Sequence, residues 1–75
     1  MNEDVFNMSM RKFLKKVGVT SQQEIEKAVR AAAESGALPD GPLTATVTLT
    51  VGGLSLTHQV EGVIALEEGQ QREDG

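Results

Sequence analysis

The residue best suited to acid-base chemistry in this sequence is a single histidine. Histidine is the side chain that most readily exchanges a proton near neutral pH, and His58 is the only one in the chain. Catalysis would need a carboxylate or a nucleophile beside it, yet the nearest acid in the sequence, Glu61, is expected on the opposite face of the same strand. Because no catalytic triad or carboxylate pair can be assembled, we expect no enzymatic activity.

Metal and cofactor chemistry also lacks the residues it needs. The chain has no cysteine and one histidine, which leaves out disulfides, thiolate metal clusters and multi-histidine sites. Gly52-Gly53 does not form a phosphate-binding loop, because it joins two predicted strands and is followed by neither a helix nor a lysine. We therefore expect no metal and no cofactor.

Four of the seven basic residues are clustered near the amino terminus: Arg11, Lys12, Lys15 and Lys16. They could form a patch for phosphate or for an acidic partner. The interpretation that we favour is that they complement the dipole at the end of a first helix and face solvent. No aromatic residue lies among them to stack on bases, and the net charge of −4 argues against a nucleic-acid partner.

The elements that carry these residues begin with two predicted helices. The first ends at Gly18, which is placed as the left-handed residue that follows a helix. Thr20 and Ser21 can cap a second helix, which ends at Gly36. The apolar residues that define the two stripes at helical spacing are Phe6, Met10, Phe13, Leu14 and Val17, followed by Ile25, Ala28, Val29 and Ala32.

Two helices around Gly18-Val19-Thr20 resemble a helix-turn-helix DNA-binding motif. The pattern then fails, because Leu14 stands where that motif has a small residue and Glu24 where it has an apolar one. Acids on the second helix would also face the phosphates of DNA. The sequence therefore does not favour specific DNA binding.

A β-hairpin follows the helices. Apolar residues and threonines alternate from Leu43 to Val51, and Gly52-Gly53 is typical of a two-residue type I′ turn. That turn would place His58 opposite Val47 on the apolar face, as a semi-buried polar residue. Three apolar residues of the second strand would then extend beyond the start of the first strand: Val63, Ile64 and Leu66.

These elements predict an α+β fold of two layers in the order ααββ, with two amino-terminal helices packed on an antiparallel β-hairpin. Residues 1–66 would form a single domain, as the length of 75 residues allows. Residues 67–75 contain no apolar residue and four acids. We expect them to form a disordered acidic tail.

A two-stranded sheet has two open edges and is marginally stable alone. We therefore expect a symmetric homodimer that joins hairpins edge to edge or packs their apolar faces, using Val63, Ile64 and Leu66. The sequence has no apolar run of membrane-spanning length, and its start lacks the pattern of a signal peptide. We expect a cytoplasmic protein with no membrane partner.

The opening of the chain, MNEDVFNMSMRKFLKKVGVTSQQEIEKAV, resembles the start of a family of short bacterial proteins with no assigned function. Members of that family are similar in plan, with a helical amino-terminal half, a threonine-rich strand, a Gly-Gly turn and a second strand. The resemblance covers residues 1–66 and is densest in residues 1–30. It implies a bacterial, full-length, single-domain protein and carries over no functional residue.

The sequence as a whole favours a non-catalytic protein–protein interaction module. It would act through a sheet edge or through the surface of the first helix. The alternative is a nucleic-acid- or ribosome-associated accessory protein that uses the basic residues of that helix. Steep loss of binding with rising salt would distinguish the alternative, because phosphate contacts release counterions.

Overall fold

The computed structural model of the chain describes residues 1–69 as one long helix followed by an antiparallel β-hairpin. Helix α1 spans Glu3–Ser35, strand β1 spans Leu43–Thr50 and strand β2 spans Thr57–Ile64. The α+β class and the hairpin are thereby confirmed, whereas the prediction of two helices is wrong. Residues 70–75 of the predicted disordered tail lie outside the described residues.

The chain divides into two compact units, Met1–Leu38 and Pro39–Gly75. The first contains α1 and the second contains the hairpin. The packing of helical residues on the hairpin and the single domain over residues 1–66 stay predictions.

Helix α1 begins at an asparagine cap. Asn2 has extended backbone angles, and its side-chain oxygen accepts a hydrogen bond from the Val5 amide at 3.1 Å. Its carbonyl accepts the first helical bond, from Phe6. Asn2 thus satisfies one amide that the first turn would otherwise leave unpaired, and Glu3 and Asp4 add negative charge where the helix dipole favours it.

Helix α1 continues through the segment in which the sequence predicted a break. Gly18 has no positive φ, and Thr20 does not cap a new helix, because its hydroxyl donates to the Lys16 carbonyl at 2.7 Å, one turn back. A glycine inside a helix costs about 1 kcal/mol relative to alanine. Breaking the helix would cost more, because each new end leaves up to four backbone groups without helical partners.

Helix α1 ends where the sequence predicts. Gly36 has a φ of 74° in the left-handed region, and its amide donates to the Ala32 and Ala33 carbonyls. The Ala37 amide donates to Ala32 at 2.8 Å, which completes a Schellman motif. Gly36 suits this position because it adopts the left-handed backbone without a Cβ clash. The length of α1, 33 residues, corresponds to about 50 Å.

Within residues 1–69, α1 has the length to cross a bilayer but not the hydropathy, and no described helix meets both requirements of a membrane span.

The two strands pair in a register that differs from the predicted one by two residues. Val47 lies opposite Val60, Leu49 opposite His58 and Leu43 opposite Ile64. Across the polar face, the Gln59 side chain donates to the Thr48 hydroxyl at 3.4 Å. A shift of two residues keeps every side chain on its face. The predicted faces of the hairpin are therefore confirmed, whereas the predicted pairs of residues are wrong.

The turn explains the shift in register. Gly53 has a φ of 91°, whereas the φ of Gly52 is not positive, and the Leu54 amide donates to the Val51 carbonyl at 3.1 Å. One positive φ, at the second central residue, indicates a type II turn rather than the predicted type I′. A type II turn twists against the strands and splays them. The ladder therefore starts beyond it, at the pair formed by Thr50 and Thr57.

The same register removes the predicted overhang of β2. Val63 and Ile64 do not extend beyond β1, because they pair with Thr44 and Leu43. Leu66 lies after the strand, in a bend. The second strand is therefore matched in length by the first.

None of residues 1–69 is fully buried. The half-buried residues of the hairpin unit include Leu43, Ala45 and Leu49 on β1. Residues 62–66, which comprise the end of β2 and the two residues after it, are also half-buried. The threonines of β1 are all exposed. The hairpin thus has a more apolar, partly covered face and a polar face, as the alternation predicts.

Candidate interaction surfaces

The basic cluster, Arg11, Lys12, Lys15 and Lys16, lies in the amino-terminal half of α1 rather than at a helix end. The effect of the helix dipole is confined to the first and last turns, and the last turn of α1 contains no basic residue. The explanation that the sequence favoured, complementation of the dipole at the end of a first helix, therefore does not apply. All four side chains are exposed.

No acid neutralises the basic cluster within the described residues. The two ion pairs of α1 lie in its second half, where Lys27 contacts Glu24 at 3.3 Å and Arg30 contacts Glu26 at 3.8 Å. Lys27 and Arg30 thus have local partners, whereas the basic cluster has none in residues 1–69. Arg11 to Lys15 and Lys12 to Lys16 are like-charged neighbours one turn apart, which disfavours the isolated helix slightly.

A shallow depression lies beside the basic cluster. It is lined by Val5, Met8, Ser9, Arg11 and Lys12, all on α1. Because its walls come from one helix, it is open to solvent. Val5 and Met8 are 62% and 72% exposed, so this side of the helix combines apolar and basic side chains.

A further feature of α1 is an apolar stripe. It is formed on one side of the helix by Phe6, Met10, Phe13, Leu14, Val17, Ser21, Ile25, Ala28 and Ala32. These residues lie within about 60° of one line along the helix, at the usual 100° per residue. The stripe runs through Gly18 without interruption, and its five large side chains are exposed by 39–52%.

The predicted site residues of the hairpin lie in different surroundings. His58 is exposed and lies opposite Leu49, so the structure does not place it as the semi-buried residue opposite Val47 that the sequence predicted. Glu61 pairs with Thr46 on the other face. The structure therefore brings no acid of the same strand to the face of His58.

The dimerisation candidates Val63, Ile64 and Leu66 are half-buried. Val63 and Ile64 belong to the paired ladder, and Val63 and Leu66 have further interactions. In the described part of the chain the sheet contains only β1 and β2, so each strand has one strand neighbour.

Comparison with known proteins identifies a family but not an activity. A model of a family described as "Family of unknown function (DUF6494)" matches residues 1–67. The chain belongs to DUF6494. The match spans α1 and both strands, so the helix and the hairpin together are what DUF6494 comprises here. No curated protein and no solved structure matches the chain.

Sequence reasoning missed that the apolar stripe is continuous. Read as two helices, the stripe divides at Gly18 into two short faces. Read as one helix, Phe6, Met10, Leu14 and Val17 follow the spacing 4-4-3, and the same spacing continues after Val17. The residues that continue it are Ser21, Ile25, Ala28 and Ala32. This repeat of eleven residues corresponds to about 3.67 residues per turn, close to the period of an α-helix, and was the signal in the sequence for one continuous helix.

Proposed function

We propose that the protein is a non-catalytic protein–protein interaction module whose binding surface is the apolar stripe of α1 or an edge of the hairpin. The observation that carries the proposal is the exposure of large apolar side chains along α1 from Val5 to Ile25. Contiguous apolar patches larger than a few hundred Å² are uncommon on monomeric proteins and mark interaction surfaces.

The energetics of a small chain support the same proposal. A domain of this size hides only about 60% of its unfolded surface even when it is compact. With no fully buried residue among residues 1–69, the chain has little buried surface of its own. A partner that binds the folded state stabilises it by mass action. Association would therefore add the buried surface that the chain lacks on its own.

The hairpin offers a second surface for the same function. Its open edges could pair with another strand, and the homodimer through Val63, Ile64 and Leu66 stays part of this proposal.

The location that we propose is the bacterial cytoplasm. A chain without cysteines forms no disulfide and therefore needs no oxidising compartment. Cell fractionation with an antibody to the protein tests that location.

The experiment that tests the function compares two alanine variants of α1. Phe13→Ala removes a ring from the apolar stripe, whereas Met8→Ala removes a side chain that is more exposed and lies on the other side of the helix. Alanine favours the helix in both. Partners captured from the native cell, including untagged copies of the chain, are quantified by mass spectrometry.

We expect at least one partner to be lost with Phe13→Ala and retained with Met8→Ala. A partner that is instead lost when proline replaces His58, inside β2, in a variant that retains its helicity, would assign the hairpin. If the two alanine variants and the proline variant recover the same proteins as the wild type, the interaction proposal is wrong.

A second candidate function is nucleic-acid or ribosome association through the basic cluster. The observation that favours it is that Arg11, Lys12, Lys15 and Lys16 have no ion-pair partner within the described residues and no helix end to complement. Such binding would weaken steeply between low and moderate salt.

Charge reversal tests this second function with a matched control. Lys12→Glu/Lys16→Glu and Lys27→Glu/Arg30→Glu change the net charge of α1 by the same amount. Mobility-shift assays with mixed DNA and RNA at low salt should lose binding with the first variant and keep most of it with the second. The absence of any shift with the wild type would exclude this function.

A further inference from the structure

The apolar stripe of α1 differs in side-chain size between its two halves. Residues equally distant from Val19 on either side form pairs on the stripe: Phe6 with Ala32, Met10 with Ala28, Phe13 with Ile25, and Val17 with Ser21. In each pair the residue nearer the amino terminus is the larger. The stripe is thus bulky in its first half and small in its second half.

We propose that α1 pairs with α1 of a second copy of the chain, antiparallel, with the two-fold axis of the dimer crossing the stripe at the level of Val19, whose own side chain lies on the opposite side of the helix. The inference rests on the proposed function, because it names the partner that the stripe binds. In this arrangement each residue of the stripe faces its symmetric counterpart, since an isologous interface presents the same surface from both copies.

Side-chain size favours the antiparallel arrangement. Phe6 would face Ala32 of the second copy and Met10 would face Ala28, so large and small residues alternate across the interface at both ends. The spacing between the helices can then stay constant, near the 8–10 Å that is usual for packed helices. In a parallel dimer Phe6 would meet Phe6 and Ala32 would meet Ala32, which crowds one end and leaves voids at the other.

Charge favours the same arrangement. Residues 1–18 have four bases and two acids, a net charge of +2, whereas residues 19–36 have two bases and three acids, a net charge of −1. An antiparallel pair brings unlike halves together at both ends. A parallel pair would set the basic cluster of one copy beside that of the other, where like charges repel.

Polar residues also lie within the proposed interface. Ser21 is one member of the stripe, and Glu24 lies about 40° from the centre line of the stripe at 100° per residue. Glu24 would face Leu14 of the second copy. Its carboxylate contacts the Lys27 ammonium at 3.3 Å, and both side chains are more than 70% exposed. The aliphatic part of Glu24 can therefore cover Leu14 while the carboxylate stays in water.

The area of the stripe is close to what a stable dimer needs. Its five large side chains expose 39–52% of their surface, which at about 200 Å² per large side chain is roughly 450 Å² per helix and about 900 Å² for two. The smaller residues of the stripe and the stems of flanking residues raise the total toward the ~1,200 Å² at which standard interfaces begin.

Cysteine cross-linking tests the arrangement, because the chain has no cysteine of its own. We expect full-length Met10→Cys and Ala28→Cys to form a disulfide-linked dimer under mild oxidation when they are mixed, and neither to do so alone. In the antiparallel pair two copies of residue 10 are about 27 Å apart along the axis, which is too far for a disulfide. A second mixture, Phe13→Cys with Ile25→Cys, should behave in the same way.

The matched control uses positions with the same symmetry on the other side of the helix. Val5 and Ala33 are equally distant from Val19 but lie away from the stripe, so Val5→Cys mixed with Ala33→Cys should give no cross-link. Circular dichroism checks that each variant keeps its helix. Sedimentation of the wild type should give twice 8.0 kDa.

Two outcomes would overturn the inference. Cross-linking of Met10→Cys with itself would show a parallel pair. No cross-link in either stripe mixture would show that α1 does not pair in the antiparallel arrangement with a second copy of the chain. In that second case loss of a partner with Phe13→Ala would still support the proposed function, so the two failures are distinguishable.

Discussion

Replacing Gly18 by alanine tests whether α1 is one helix. Gly18 lies inside Glu3–Ser35, its φ is not positive, and a Cβ added there would meet nothing within 4 Å. Alanine should therefore enter without strain. It also restricts the unfolded chain more than glycine does. We expect Gly18→Ala to stabilise the helix by about 1 kcal/mol, the difference between the two residues in a helix interior.

The matched control is the same substitution at the end of the helix. Gly36 has a φ of 74°, and a left-handed backbone costs an alanine about 1–2 kcal/mol. Gly36→Ala should therefore destabilise the chain. The two variants differ by one methyl group from the wild type, yet their effects should have opposite signs.

Urea unfolding followed by circular dichroism at 222 nm measures both effects. All proteins must be compared at one concentration, because association shifts apparent stability. In a cooperative thermal transition, 1 kcal/mol corresponds to roughly 4–8 °C in a domain of 60–100 residues. If the chain instead ended a first helix at Gly18, alanine would be strained there as at Gly36. A destabilised Gly18→Ala would therefore refute the continuous helix.

Three further predictions concern the caps and the hairpin. Asn2→Ala should lower helix stability by about 1 kcal/mol, because it removes the cap on Val5; unchanged helicity by circular dichroism would contradict the assignment. Gly53→Ala should destabilise the hairpin by about 1–2 kcal/mol and Gly52→Ala by much less, since only Gly53 has a positive φ; amide exchange of β1 measures both, and equal losses would indicate a type I′ turn. Nuclear Overhauser contacts should join Val47 to Val60 across the strands. Contacts between Val47 and His58 would instead support the register that the sequence predicted.

The helical half of the chain was only partly predictable, because local and distant signals in it disagree. Gly18, Thr20 and Ser21 each favour a break, and a cap is worth about 1 kcal/mol. The continuous helix keeps its backbone bonds through the same segment, and Thr20 uses its hydroxyl on Lys16 instead. Capping rules consider residues that are three or four positions apart. The spacing that favours one helix becomes visible only when the whole segment from Phe6 to Ala32 is considered.

The hairpin was predictable in its faces but not in its register. The alternation of threonines with apolar residues decides which side chains share a face, and registers that differ by two residues leave the faces unchanged. The choice between them depends on the backbone of Gly52, which glycine leaves free to take either sign of φ. Because the position of His58 depends on the register, its surroundings could not be predicted either.

The basic cluster shows how an interpretation depends on an element boundary. The positions of Arg11, Lys12, Lys15 and Lys16 are plain from the sequence. Their role as partners of a helix dipole held only if a helix ended near Gly18. Since α1 ends at Ser35, the same four charges change from a stabilising feature into one that the isolated helix must tolerate.

The length of α1 also limits what can occupy its apolar stripe. Phe6 and Ala32 are separated by about 39 Å along the helix axis, which exceeds the diameter of many small globular domains. A compact partner or a peptide of two or three turns would cover only part of the stripe and leave its other side chains in water. If the stripe is the binding surface that we propose, its length favours elongated partners, such as another helix of equal length.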